Sequence, residues 1–499
     1  MGHASIVHER GGSSMTALER RLQRSAFSEL PTDFFAAQAP ASLPQPYLVA
    51  WNPNLSAQFG FETTSELVDL LAGNRLPFGT TPIAAAYAGH QFGVYVPQLG
   101  DGRALLLGDV IDAAGKRFEL QLKGAGRTPF SRGADGRAVL RSTIREYLAS
   151  EAMHGLGIPT TRALAIVGSD QPVYREQIET AAVLTRLAPS HVRFGSFEFF
   201  HYRGEAPRVA QLADFVIDTQ FPALAGAPDR HDRLLREVIE RTARLVAAWQ
   251  AQGFVHGVMN TDNMSILGLT LDYGPYGFLD HFEAGRVFNH TDQRGRYAYA
   301  NQGRVALWNL HALAEALSTL ISAQAREAAL ATFEPLFVAS YGALMRRKLG
   351  LREAQAQDAD LVDRLLQALA AGRVDYPAFM RGLGAFRPDD ATTRAPLLAL
   401  SHAPDSLAAW LDDYARRLAG ESEPAEARQA RMDAINPLYV LRTHLAERAI
   451  RRAADHRDYS EIERLRGLLA RPFTPRPGLD DYAAPPPDDG SAIELSCSS

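Results

Sequence analysis

The sequence predicts an α+β protein, with a strand-rich first part and a longer, mainly helical second part. Three observations lead to this. Between Gly93 and Lys123 short β-rich runs, GVYVPQL, RALLLGDVI and RFELQLK, are separated by Gly-Asp-Gly and by the Asp112–Gly115 turn, the pattern of three antiparallel strands. From Asp135 to Leu156 the apolar residues Leu140, Ile144, Tyr147, Leu148 and Met153 share one helical face, and Gly155 and Gly157 mark its end. Beyond about Phe215 the apolar residues keep a helical period, most clearly from Asp229 to Gln252, where Leu234, Leu235, Val238, Ile239, Leu245, Val246 and Trp249 form the buried stripe and Gly253 is the stop.

Taken in order, residues 1–76 read as an N-terminal extension wrapped on the core, because PQPYLVAWNPNLSAQFGF carries the Pro and Asn of extended chain and turns. The Gly/Ser break before Met15 precedes the first ordered helix, or Met15 is itself the start. Residues 77–200 read as a small sheet unit with one helix, its later strands being ALAIVGS, PVYRE and AAVLTRLA. Residues 201–471 read as a helical unit, with further helices at about 304–350, 354–371 and 425–455. The Pro- and Asp-rich segment 472–499 reads as an irregular tail carrying Cys497.

Composition bounds the function. The 499 residues are 46% hydrophobic, enough for a large core, and the net charge of -5 gives no general attraction to nucleic acid or anionic membrane. Charges and Gly/Pro interrupt the apolar runs before they reach a bilayer's span, and the N-terminal segment lacks the apolar stretch of a secretory signal, so a cytoplasmic address is expected. The single Cys497 allows neither an internal disulfide nor a cysteine-rich zinc site.

The residues that carry chemistry fall in a telling order. Gly100 and Gly102 sit in a Gly-Asp-Gly turn between two strands, where absent side chains let backbone N–H groups approach phosphate. Alone, such a turn is an ordinary hairpin. Lys123 ends the third strand and Glu146 follows within the helix, an arrangement in which the carboxylate holds a phosphate-binding ammonium in place. In HGVMNTDN, His256 precedes Asn263 by the interval of the protein-kinase pattern H-R-D-x-x-x-x-N, and LDYGP then places Asp272 as in D-F-G. An amide oxygen and a carboxylate on adjacent loops are hard ligands suited to Mg²⁺ against nucleotide phosphates. This order predicts a protein-kinase-like bilobal fold. The position of the kinase base, however, holds Val258, which accepts no proton, and Asp262 is the acid left on the loop. Of the basic residues Arg127, Arg132, Arg137, Arg141, Arg186 and Arg193, Arg186 stands out, because it lies within an apolar strand.

At this point the chain resembles the selenoprotein O family of pseudokinase AMPylators, also known as the YdiU proteins. The likeness covers nearly the whole chain and rests on YAGHQFGVYVPQLGDGRA, ELQLKGAGRTPFSRGADGRAVLRSTIREYLASEAM, HGVMNTDNMSI, DYGP, INPLYVLR and the terminal CSS. The resemblance implies ATP held in a flipped orientation, with AMP, or UMP from UTP, passing to Ser, Thr or Tyr hydroxyls of proteins and pyrophosphate leaving. It further implies nucleotide contacts from Gly100, Gly102, Arg103, Lys123 with Glu146, Asp135, Gly136, Arg186, Arg193 and Asp272, a base at Asp262, and Mg²⁺ or Mn²⁺ held by Asn263 and Asp272. The redox latch that some members form is excluded, since Cys497 has no partner cysteine. Two other readings stay open: a true kinase using Asp262 and releasing ADP, and a non-catalytic nucleotide-binding scaffold.

Overall fold

The computed structural model describes residues 15–487 and Leu495. Cys497 and the segment before Met15 lie outside the described residues.

The fold is mixed α and β, built around one large antiparallel sheet. Its strands are β1 (Phe35–Ala37), β2 (Tyr47–Trp51), β3 (Ile83–Ala85), β6 (Ala104–Ile111), β7 (Arg117–Lys123), β8 (Ala138–Val139), β9 (Arg162–Tyr174) and β10 (Ile178–Ala188). The order is β1-β3-β6-β7-β10-β9-β2, with β8 paired to β10. β6 is buried at every position but its last, which explains why ALLLGDVI is a continuous apolar run rather than an alternating one. The β6–β7 turn is set by Asp112, whose Oδ1 accepts the N–H groups of Ala114 and Lys116 at 2.9 and 2.8 Å, and by Gly115 at φ 80°.

Several local expectations need correction. Only Val94–Val96 of GVYVPQL is a strand, β5, and it pairs with β4 (Gly89–Gln91) in a separate hairpin outside the main sheet. Its turn residues Phe92 and Gly93 both have positive φ, 52° and 83°, as a two-residue hairpin turn requires. β3 takes the place beside β6 instead. ALAIVGS and the first three residues of PVYRE belong to one strand, β9, paired along β10 with two register shifts. The first long helix is Leu140–Gly155, starting later than Asp135 because residues up to Arg137 form a loop before β8. The N-terminal segment also contributes more than wrapping, since β1 and β2 are the two edge strands of the sheet.

Helix Leu140–Gly155 packs on β9 and β10, and on its other side against helices Thr443–His456 and Ser460–Leu469. The helical part is more divided than its periodicity suggests. The 304–350 stretch is three helices, Gln302–Ala316, Ala323–Leu330 and Phe333–Lys348, and 425–455 is broken between Asp433 and Thr443. Helices Tyr376–Gly382, Ala391–Leu398 and Pro404–Leu418 were not marked by period at all. One hydrophobic core runs unbroken from the sheet through helix Arg230–Gln252 to residues 439–469, and a second fills the space between Met345 and Met432.

The stretch Ala323–Lys348 is long and apolar enough to cross a membrane by length and composition, with an 18-residue window of mean hydropathy 1.3, although Glu334, Pro335 and Gly342 interrupt its apolar run. In the fold its Phe333, Phe337 and Tyr341 rings stack at 6.0 and 6.2 Å between centroids and line an apolar cavity of about 630 Å³. Near the other end of the chain, Leu495 is buried and pairs with Asn289, whose amide donates to the Gly257 carbonyl at 3.2 Å.

Candidate nucleotide site

A cleft of about 660 Å³ lies between the sheet and the loops that follow helix Arg230–Gln252. Strand alternation builds its floor. Arg186 on β10 stands opposite Gln121 on β7, and Leu184 opposite Lys123, so Gln121, Lys123 and Arg186 share one face of the sheet. Arg193 enters from the start of helix Phe194–His201, where residues 192–194 pair with the Met264–Ile266 backbone.

These cations converge on one carboxylate. Lys123 Nζ lies 2.6 Å from Glu146 Oε2 and 2.9 Å from Asp272 Oδ1. Arg186 pairs with Glu146 Oε1 at 3.0 Å and closely with Asp272 Oδ1, and Arg193 pairs closely with Asp272 Oδ2. Burial works against charge on Asp272, but Arg186, Arg193 and Lys123 hold its carboxyl well below the usual carboxylate range. Burial likewise opposes the charge on Arg193, yet Asp272, Tyr87 and Asp101 raise its pKa. Asp272 sits at φ 54°, a left-handed conformation rare for a non-glycine residue, which turns its side chain back toward the strand cations.

Asp262 occupies the opposite wall, in the single turn Thr261–Asn263. Gln91 Nε2 donates to its Oδ2 at 3.3 Å, while its buried Oδ1 has no hydrogen-bond partner among the described residues. Burial pushes this carboxyl up to about 6, against the pull of Arg193. The Asn263 amide donates to the Val258 carbonyl at 2.9 Å, which orients the amide group and leaves its oxygen available. His256 is buried, with its pKa lowered to about 4, so the neutral ring donates from Nε2 to the Leu271 carbonyl at 3.1 Å and ties this loop to the one carrying Asp272.

The glycine turn lies on the third side, with a packing reason for its glycines. A Cβ on Gly100, at φ 73°, would overlap the Phe130 ring at 2.3 Å, and one on Gly102 would stand 2.9 Å from the Phe130 carbonyl oxygen. Thr128 Oγ1 donates to the Asp101 carbonyl at 2.7 Å, fastening the turn to the 128–131 loop. Arg103 borders the cleft beside it. At the outer rim Asp135 accepts from Arg175 at 2.7 and 2.9 Å and from the Arg137 N–H at 2.9 Å. Gly136 at φ 70° presses against Gly126, where a Cβ would lie 2.2 Å from backbone atoms.

Thus Gly100, Gly102, Arg103, Lys123, Asp135, Gly136, Arg186, Arg193, Asp262, Asn263 and Asp272 line one cleft, and Glu146 stands behind Lys123 and Arg186. Arg132 and Arg137 also border the cleft, Arg132 exposed and Arg137 bound to the backbone carbonyls of Ala41 and Ser42, while Arg127 is exposed and Arg141 is paired with Glu179. Sequence reasoning missed Asp101, Gln121, Tyr87, Gln91 and Arg175. Buried Asp101 accepts from Gln121 and Tyr87, each at 3.2 Å, and faces Arg193 at 3.8 Å, while Arg193 lies over the Tyr87 ring at 4.7 Å. Gln121, two residues before Lys123, was within reach of the alternation rule. Nothing local marked Arg175.

Among the described residues no group of three or more His, Cys, Asp or Glu side chains forms a metal cage. The donors present, Asp262 Oδ1 without a partner, the Asn263 amide oxygen and the Asp272 carboxylate, suit a hard divalent ion that completes its shell with substrate oxygens and water.

A cleft with three converging cations and two separately placed acids has the chemistry that suits phosphate esters. The family follows from comparison: residues 19–469 match the model for Protein adenylyltransferase SelO, and the chain belongs to that family. It is similar to the protein nucleotidyltransferase YdiU of Myxococcus xanthus, 53% identical over 489 residues that cover 97% of this chain and 100% of the relative. The protein of the same name from Thioalkalivibrio sulfidiphilus is 53% identical over 485 residues, covering 95% and 98%.

Proposed function

We propose that this chain transfers AMP from ATP onto hydroxyl groups of proteins, on a kinase-like bilobal scaffold in which residues 77–200 form the small lobe and 201–471 the large one, with 1–76 and 472–499 as extension and tail. The observation that carries the reading is the convergence of Lys123, Arg186 and Arg193 on Asp272 across the cleft from the unpartnered Asp262 Oδ1. Family membership supports the reaction class, nucleotidyl transfer onto protein.

In this reading the three cations hold the β- and γ-phosphates, with Glu146 keeping Lys123 and Arg186 in place. Gly100, Gly102 and Arg103 border the phosphates, and Asp135 with Gly136 takes the outer part of the nucleotide. The α-phosphorus then faces Asp262. The acceptor oxygen bonds to the α-phosphorus, the bond from that phosphorus to the bridging oxygen breaks, pyrophosphate leaves and the hydroxyl proton passes to Asp262. Asn263 and Asp272 would hold Mg²⁺ or Mn²⁺, which supplies charge neutralisation at the phosphate oxygens when bound. Lys123 and the two arginines stabilise the negative charge that develops on pyrophosphate. UTP would share the contacts that Lys123, Arg186, Arg193 and the glycine turn make to phosphate. The net charge of -5 favours a protein acceptor over nucleic acid or an anionic membrane, and we place the enzyme in the cytoplasm.

The deciding experiment incubates the protein with ATP labelled at the α- or the γ-phosphate and an acceptor protein. Label from the α position, with pyrophosphate released, is the expected result. Label from the γ position, with ADP released, would establish the kinase reading instead.

A further inference from the structure

The β4–β5 hairpin does two things at once. Its inner strand grips the loop that carries Asp262: the His90 N–H donates to Thr261 Oγ1 at 2.7 Å, and Gln91 reaches Asp262. The Phe92 N–H is shared between Asn260 Oδ1 and the Tyr297 hydroxyl, at 3.2 and 2.9 Å. Its outer side is an exposed apolar surface. Val94 is 68% exposed, Tyr202 46%, Phe92 39% and Trp308 37%. Beneath them the His90 ring packs on Tyr95, Tyr202 and Trp308, with centroids at 5.2, 5.9 and 5.2 Å. Phe92 belongs to both the cleft wall and this patch, so the surface begins where the candidate base is.

The patch also carries a guanidinium held against an aromatic ring. Arg296 lies over the Trp308 ring at 4.9 Å and supports the hairpin turn at Gly93. Its Nε is buried without a hydrogen-bond partner, and Arg296 makes no ion pair, among the described residues. A cation on an aromatic face, flanked by exposed apolar side chains, suits a polypeptide segment that brings a carboxylate and an apolar side chain together.

We infer that this face, made of Phe92, Val94, Tyr202, Trp308 and Arg296, is where the acceptor protein docks, through a segment carrying an acidic and an apolar residue next to the hydroxyl to be modified. The inference rests on the AMP-transfer reading, whose acceptor must reach Asp262 past Phe92. It makes the enzyme selective for sequence around the hydroxyl and not for the hydroxyl alone.

The test uses the full chain, ATP labelled at the α-phosphate and two synthetic peptides with one central Ser. In one peptide the Ser is flanked by Glu and Phe, in the other by Lys and Gly. The unaltered protein should favour the Glu/Phe peptide by about tenfold or more in kcat/KM, the scale of a central contact residue. Trp308→Ala should lower transfer to that peptide about tenfold, and Arg296→Glu should shift preference toward the Lys/Gly peptide. Binding of a fluorescent ATP analogue should stay within about twofold in both variants, which also confirms that they are folded. Equal use of both peptides, or variants that transfer as well as the unaltered chain, overturns the docking surface while leaving AMP transfer standing. Absence of α-label transfer by the unaltered chain removes the reading and the surface together. A variant that turns an oligomer into a monomer while its peptide preference is unchanged would assign the face to a second copy, against the proposal.

Discussion

A Cβ placed on Gly89 would stand 2.7 Å from Oδ1 of Asp262. The hairpin glycine therefore leaves the space that the acid occupies, and the same atom would also meet the Asp262 main-chain nitrogen at 3.1 Å. Gly89→Ala should push the acid off its position by a fraction of an ångström without touching the strand cations. The expected result is a fall of about tenfold or more in kcat for protein modification, with ATP affinity unchanged, read from steady-state kinetics and nucleotide titration. Equal kcat in the variant would remove Asp262 from the reacting end of the site.

Asp272 is the shared counter-ion of three buried cations, which changes what its removal does. The sequence alone suggests that Asp272→Ala abolishes transfer and leaves the fold intact. With Lys123, Arg186 and Arg193 left facing one another, the empty variant should lose about 3 to 5 kcal/mol of stability, the cost of stranding buried charge. Added pyrophosphate should raise its melting temperature more than that of the unaltered chain, because the anion takes over the role of the carboxylate. Identical melting curves would show that the three cations are not held by Asp272.

Glu146 accepts from both Lys123 and Arg186, so the two obvious alanine variants are not equivalent. Glu146→Ala should weaken transfer more than Lys123→Ala, since it frees two phosphate-binding groups. The double variant should match the worse single within about 0.5 kcal/mol of transition-state energy, as partners acting through one another do. Strict additivity in kcat/KM would deny the coupling.

Restoring a carboxylate at the usual kinase position should not restore a kinase. Val258 borders the cleft and is nearly buried. In the proposed orientation the γ-phosphate lies among Lys123, Arg186 and Arg193, away from the acceptor, so the placement of the nucleotide decides which phosphorus is attacked. Val258→Asp should yield pyrophosphate and no ADP above background in product chromatography.

Lys348 supplies a stability signature far from the cleft. Burial alone lowers its pKa to about 7, with Gln252 Oε1 accepting from its Nζ at 3.0 Å. In the unfolded chain the group titrates near 10.4, so between about pH 7 and 10 the unfolded state binds the extra proton and stability rises with pH. Below about pH 7 the folded state carries the full cost of the buried charge, on the order of 4 kcal/mol. Lys348→Met should therefore raise the melting temperature at pH 6 and do little at pH 10. A gain that does not depend on pH would mean that the lysine is not charged against its surroundings.

Much of this molecule was legible in its residues because local physics speaks locally. The β6–β7 hairpin, the helix carrying Glu146, the helix ending at Gly253 and the spacing from His256 through Asn263 to Asp272 each depend on periods and turns confined to a short stretch. The same locality misassigned GVYVPQL, since a strand-forming run does not say which neighbour it will pair with, and packing sent β5 to β4 rather than to β6. It also left Asp101, Gln121, Tyr87 and Arg175 unseen. Their part in the site arises from side chains brought together across strands, hairpins and loops tens of residues apart, as with Asp101 and Arg193 or Asp135 and Arg175. Residue types at fixed intervals were enough to bring forward Lys123, Asp262, Asn263 and Asp272, which line one cleft. Three-dimensional packing set the convergence of Lys123, Arg186 and Arg193 on Asp272 and left Asp262 Oδ1 without a partner among the described residues, because like charges gather only where the fold supplies the counter-charge and excludes water.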